Sequence, residues 1–184
     1  MLSKSKILSS IIAVAGLAVA AINQEAVAQN AITLPGGASS LQETYDDWMV
    51  VCAINDQSKN QKLCALSQQQ VDKNTRQRVL AVEVRLKGDG IEGTVFLPFG
   101  LALAKGAAFQ FDDGSFGKPA DFSTCLPVGC VVPIDFNKDI LAAMRKASRL
   151  NVKAMGQDGK DVPFTISLKG FSTAFDRTKQ LVGG

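Results

Sequence analysis

Apolar and polar positions alternate with a period of two along much of this chain. Leu80, Val82, Val84 and Leu86 alternate with Ala81, Glu83, Arg85 and Lys87, which predicts a strand with one buried face and one mostly charged face. Val162, Phe164, Ile166 and Leu168 repeat the pattern, with Pro163 near the strand start, where the missing N–H is tolerated. Leu150, Val152 and Ala154 predict a third strand, joined to the previous one by the hairpin loop Gly156-Gln157-Asp158-Gly159. Phe109 and Phe111 mark a fourth, ended by Asp113-Gly114. Val95 to Leu103 is more continuously apolar and reads as buried on both faces, with a bend or bulge at Pro98 and Gly100.

One stretch changes to helical spacing. Asn137 is the expected N-cap, Asp139 lies in the first turn, and Ile140, Leu141 and Met144 form an apolar stripe. Arg145, Lys146 and Arg149 follow at the far end, where the helix dipole favours cations and explains them more cheaply than a binding patch does. The segment from Gly170 to Leu181 reads either as a last short helix or as a fraying strand extension. Many short strands with frequent turns and one helix predict an all-β, mainly antiparallel, single-domain β-sandwich with one short helix. A membrane barrel is disfavoured, because one Trp and one Tyr cannot supply two aromatic girdles.

The N-terminus follows another pattern. Lys4 and Lys6 precede an apolar run from Ile7 to Ile22, and Ala26-Val27-Ala28 fits a small-x-small cleavage site. Residues 1–28 are therefore expected to be a signal peptide cut after Ala28. The run is shorter than the ~20 residues of a spanning helix. Residues 29–44, with Pro35-Gly36-Gly37, read as a flexible leader, and residues 45–184 as the β domain. The mature chain is expected in the periplasm, with an envelope-associated or secreted location as the alternatives, and without a transmembrane span.

Charge adds little. Lys4, Lys6 and Glu25 leave with the signal, so 20 basic and 17 acidic residues become 18 and 16. Such a balance, with interspersed signs, argues for neither nucleic acid nor an anionic membrane surface. The absence of histidine excludes more. It removes Ser-His-Asp and Cys-His catalysis, His-ligated zinc and an imidazole switch near neutral pH.

The four cysteines, Cys52, Cys64, Cys125 and Cys130, read as a disulfide set in an exported chain. Three pairings are possible, and Cys52–Cys64 with Cys125–Cys130 is favoured. The polar segment 55–60 between two apolar runs suits a hairpin, and Leu126-Pro127-Val128-Gly129 suits a tight reversal. A redox site would favour C-x-x-C, and four-cysteine zinc would favour two short knuckles. Neither occurs. Asp112, Asp113 and Asp135 sit beside turns or at the helix approach, where Asp serves local hydrogen bonding more often than glycosidase chemistry. Asp112-Asp113-Gly114-Ser115 lacks EF-hand spacing. Gly88-Asp89-Gly90 reads as a hairpin loop and not a phosphate cradle. No catalytic residues, cofactor or metal are expected.

Several segments together resemble the invasion-associated locus B family of exported alphaproteobacterial proteins, best known from Bartonella. They are Asp47-Trp48 with Cys52, Cys64-Ala65-Leu66-Ser67-Gln68, Leu97-Pro98-Phe99-Gly100-Leu101 with Ala104-Lys105-Gly106, and Phe111-Asp112-Asp113-Gly114. Phe122-Ser123-Thr124-Cys125 with Gly129-Cys130, and Ser167-Leu168-Lys169-Gly170-Phe171 with Ala174, complete the series. Thr124 stands where the family pattern suggests a basic residue. The resemblance implies a non-enzymatic envelope protein linked with invasion of host cells, notably erythrocytes, acting on an unknown envelope or host-surface partner. It implies structural roles for the motifs: Trp in the core, Cys as staples, Gly-Phe for packing. Two other functions remain open from the residues alone. One is an envelope hydrolase using Ser-Lys or paired-Asp chemistry, and the other is a periplasmic stress or folding accessory.

Overall fold

The longest alternating runs pair with their sequence neighbours, and this builds most of the molecule. The computed structural model describes residues 33–55 and 61–183. Strands β1 (Ser40–Tyr45), β2 (Trp48–Asn55), β3 (Gln61–Val71), β4 (Arg78–Lys87) and β5 (Gly90–Leu97) form a consecutive antiparallel meander. β8 (Gly129–Phe136) adds beside β5, and the short β7 (Thr124–Leu126) closes a seven-stranded sheet in the order β1-β2-β3-β4-β5-β8-β7. A three-stranded sheet holds β6 (Ala107–Phe111), β9 (Arg149–Met155) and β10 (Asp161–Ser167), with β9 central. Every pairing in both sheets is antiparallel.

Register decides which side chains face inward. Val50, Leu66 and Val84 stand in one cross-strand row, and Gln68, Val82, Val95 and Val132 in the next. Leu150, Val152, Ala154 and Ile166 of the smaller sheet join them in a single buried cluster. Phe109 of β6 meets Phe136 of β8 edge to face at 6.0 Å, bridging the sheets. The two-sheet, mainly antiparallel architecture agrees with the sandwich expected from alternation.

Three expectations are corrected. First, residues 40–44 are not leader: β1 begins at Ser40, and Leu34 before it is buried. Only every second side chain of β1 is half-covered, so its pattern lacks a strong apolar signal. Second, the described residues hold two α-helices. α1 (Lys138–Met144) is the one expected, with the Asn137 side chain accepting from the Asp139 and Ile140 amides, both at 3.0 Å. α2 (Phe171–Gly183) is the C-terminal segment, and it buries Phe171, Ala174, Phe175, Thr178 and Leu181. Third, Val95 to Leu103 is not buried throughout. β5 stops at Leu97, before Pro98, and Phe99 and Leu103 are exposed.

Cys52 and Cys64 face each other across β2 and β3 with Cα atoms 4.1 Å apart, and Cys125 faces Cys130 across β7 and β8 at 3.9 Å. Both are bridged, as favoured from sequence. The cut after Ala28 and the loop tip 56–60 lie outside the described residues. No helix among those described is long and apolar enough to cross a membrane.

Candidate functional site

Segments far apart in the chain meet around Trp48. Trp48 starts β2 and is fully buried, and its ring meets Phe171 of α2 edge to face at 5.0 Å. Its indole N–H donates to the Ser167 carbonyl at 2.8 Å. Gln68 completes the junction. Its amide donates to the same carbonyl at 2.9 Å, and its oxygen accepts from the Ser167 amide at 3.1 Å. One side chain thus satisfies the last residue of β10 as a neighbouring strand would. The Ser167 hydroxyl donates to Asp47 at 2.6 Å, and Lys169 pairs with Asp46 at 3.2 Å. The Asp-Trp, Ser-Gln and Ser-Leu-Lys-Gly-Phe motifs are therefore parts of one junction between the two sheets and α2. Its polar atoms are engaged with each other, which makes it a structural device.

Beside it, Arg177 of α2 grips Glu43 of β1 through two bonds of 2.8 Å, and Tyr45 donates to the same carboxylate at 2.7 Å. The Arg177 bonds, then the Tyr45 hydroxyl, lower the Glu43 pKa from 4.5 to about 2. The bond to Glu43 raises that of Tyr45.

The outward face of the seven-stranded sheet is an open surface. Thr44, Met49, Ser67, Glu83, Thr94 and Pro133 stand in one row across it. Two shallow clefts of about 570 and 510 Å³ lie on this face. At one end Lys87 pairs with Asp135 at 2.6 Å and with Glu92 at 3.2 Å, spanning three strands. Those two carboxylates, Asp135 first, raise the Lys87 pKa. Toward the other end the Arg78 guanidinium lies 5.5 Å from the centre of the Phe96 ring. Such a surface can present charge and apolar area to a partner.

The remaining sequence candidates are engaged structurally. Asp112 accepts from the Ser148 and Arg149 amides at 3.0 and 3.1 Å, and Asp113 pairs with Arg149 at 2.7 Å. Asp135 is tied to Lys87, so each of these carboxylates is committed to its own local partner. Arg145 pairs with Asp176 at 2.6 Å and lies over Phe175, which ties α1 to α2. Among the described residues, no three Cys, Asp or Glu side chains are grouped to hold a metal. Sequence reasoning named Gln68 within the Cys64–Gln68 motif without a role for its side chain, and it missed Glu43 and Arg177, whose only signal was a polar residue on the half-covered side of a strand or helix.

Comparisons with known proteins agree with this arrangement. The family described as Invasion associated locus B (IalB) protein matches residues 48–179. An invasion protein B homolog of Brucella abortus is 44% identical over 153 residues, covering 82% of this chain and 86% of the relative. Invasion protein B of Bartonella bacilliformis is 38% identical over 154 residues, covering 81% and 80%. The crystal structure of invasion associated protein b from Bartonella henselae superposes with a TM-score of 0.70 at 31% identity, covering 77% of this chain and 97% of that one. The match spans every motif from Trp48 to α2, and the chain belongs to the invasion associated locus B family.

Proposed function

We propose that this protein is an exported, non-enzymatic envelope protein that supports entry into host cells by binding a partner. One observation carries the reading: the similarity to proteins named invasion protein B extends over most of the domain. The engagement of the Asp side chains in local bonds, described above, supports a binding role over a hydrolytic one. The disulfides suit an oxidising compartment such as the periplasm.

Deletion of the gene in its own bacterium, with complementation, tests this. Internalised bacteria counted after killing of external cells are expected to fall severalfold and to recover with the complementing copy. Unchanged internalisation would overturn the invasion role. Turnover of an envelope substrate by the purified protein, lost on substitution of one Ser or Asp, would overturn the non-enzymatic part.

A further inference from the structure

Three connections at one end of the seven-stranded sheet expose apolar side chains together. β3, β4, β5, β8 and β7 are successive antiparallel neighbours. The β3–β4 loop (72–77), the exit of β5 at Pro98-Phe99 and the β7–β8 turn at Pro127-Val128 therefore share that end. Phe99 is 62% exposed, Val128 52%, Val71 46% and Leu126 45%. Phe99, Val128, Pro98 and Pro127 line one shallow cleft with Arg78, which donates to the Val128 carbonyl. The Gly156–Lys160 turn lies alongside, since the Gln157 amide donates to the Gly100 carbonyl at 3.1 Å. Exposed loop tips bearing this much apolar surface mark an interaction site.

The charges at this end are biased. Lys73 and Arg76 are exposed on the β3–β4 loop, and Arg78 follows it. Asp72 keeps its charge on the same loop, where its carboxylate accepts from the Thr75 and Asn74 amides at 2.7 and 2.9 Å and is held ionised by them. That Asx-type turn holds Lys73 and Arg76 outward. Asp158 is 3.5 Å from Lys160. The acidic turn of Asp46 and Asp47, on the far side of β3, is engaged with Lys169 and Ser167. Lys73, Arg76, Arg78 and Lys160 thus outnumber Asp72 and Asp158 on the loops around the apolar tip.

We propose that this end docks on an anionic phospholipid surface, with Phe99 and Val128 entering the headgroup layer and Lys73, Arg76 and Arg78 facing lipid phosphates. Apolar groups inserted at the interface with a basic surround are the two signals that stable peripheral attachment takes. The site is independent of the invasion reading: vesicle binding stands or falls on purified protein, whatever the deletion strain does.

The test uses protein recovered after export from cells expressing the full chain, sedimented with vesicles of equal parts phosphatidylglycerol and phosphatidylcholine, and with phosphatidylcholine alone. Binding to the anionic vesicles only is expected, weakening with salt. Lys73→Gln and Arg76→Gln are each expected to lower it ~5-fold, and Phe99→Ser at least ~10-fold, with the melting temperature unchanged because Phe99 is exposed. No binding to anionic vesicles would overturn the proposal. So would binding retained by the Phe99 variant, which would assign it to another region of the chain. A dimer that dissociates in Phe99→Ser without any vesicle binding would give the patch to self-association instead.

Discussion

Gly170 joins the β10 exit to α2 with a φ of 84°, and a Cβ there would lie 2.0 Å from the Tyr45 carbonyl oxygen. Two independent costs meet at this residue, left-handed backbone and collision with main chain that cannot swing aside. Gly170→Ala is expected to lower unfolding free energy by ~2–4 kcal/mol in urea titration. Gly159→Ala is the comparison. It shares a positive φ of 80° but has nothing within 4 Å of the added carbon, so it should cost ~1 kcal/mol. Equal losses would show that the approach of Tyr45 adds nothing. The sequence showed Gly170 in a Gly-Phe motif and suggested packing, but a strand and a helix must be assembled before the clash exists. Gln68 was equally silent. A glutamine among polar neighbours reads as solvated until register places it opposite Val82.

At the scale of elements, α2 is held to β1 by apolar packing and by the Arg177–Glu43–Tyr45 group. Glu43 has a folded pKa well below its unfolded one, so its ionised form favours the folded state. That contribution is complete above 4.5 and is lost as pH falls toward about 2. Glu43→Gln is expected to lower the melting temperature near neutral pH by roughly 2–4 °C. The gap to the unmutated protein should close as the pH falls through that window. A gap constant with pH in differential scanning fluorimetry would mean that the ion pair contributes nothing through ionisation. Strong alternation made β4 and β10 legible from sequence. α2 was ambiguous because Thr178 occupies an apolar slot of its stripe, and only the structure shows its hydroxyl donating back to the Ala174 carbonyl at 2.8 Å. β1 was read as leader because its inward residues are Leu41, Glu43 and Tyr45. Glu43 belongs there only when Arg177 arrives from the other end of the chain.

Over the whole molecule the two disulfides differ in placement. Cys52 and Cys64 are buried, whereas Cys125 is exposed on the edge strand β7. Thiol exchange depends on access, so mild reductant should open Cys125–Cys130 first. Stepwise alkylation with mass mapping reads that order, and simultaneous or reversed labelling would contradict it. Chain entropy gives ~3 kcal/mol for the Cys52–Cys64 loop and ~2 kcal/mol for the other. Cys125→Ser with Cys130→Ser should therefore leave a folded domain with a melting temperature lowered by roughly 4–8 °C. The pairings were legible because each joins near neighbours through turn-forming residues. The outward sheet face and the apolar tip were not, since both arise when separate strands align.

The junction at Trp48 has a consequence for how the chain is delivered. Ribosomes and export channels release the N-terminus first, and β1 to β5 can pair as each emerges, since each needs only the strand before it. Trp48 nevertheless waits for Phe171, and Gln68 for Ser167. Until the last stretch of chain has passed, a nearly complete sheet stands with its core face open. The interval between first strand and last helix is when this protein is most exposed to misassociation, and a holdase that grips the inner face of the meander would have to leave before α2 could seat.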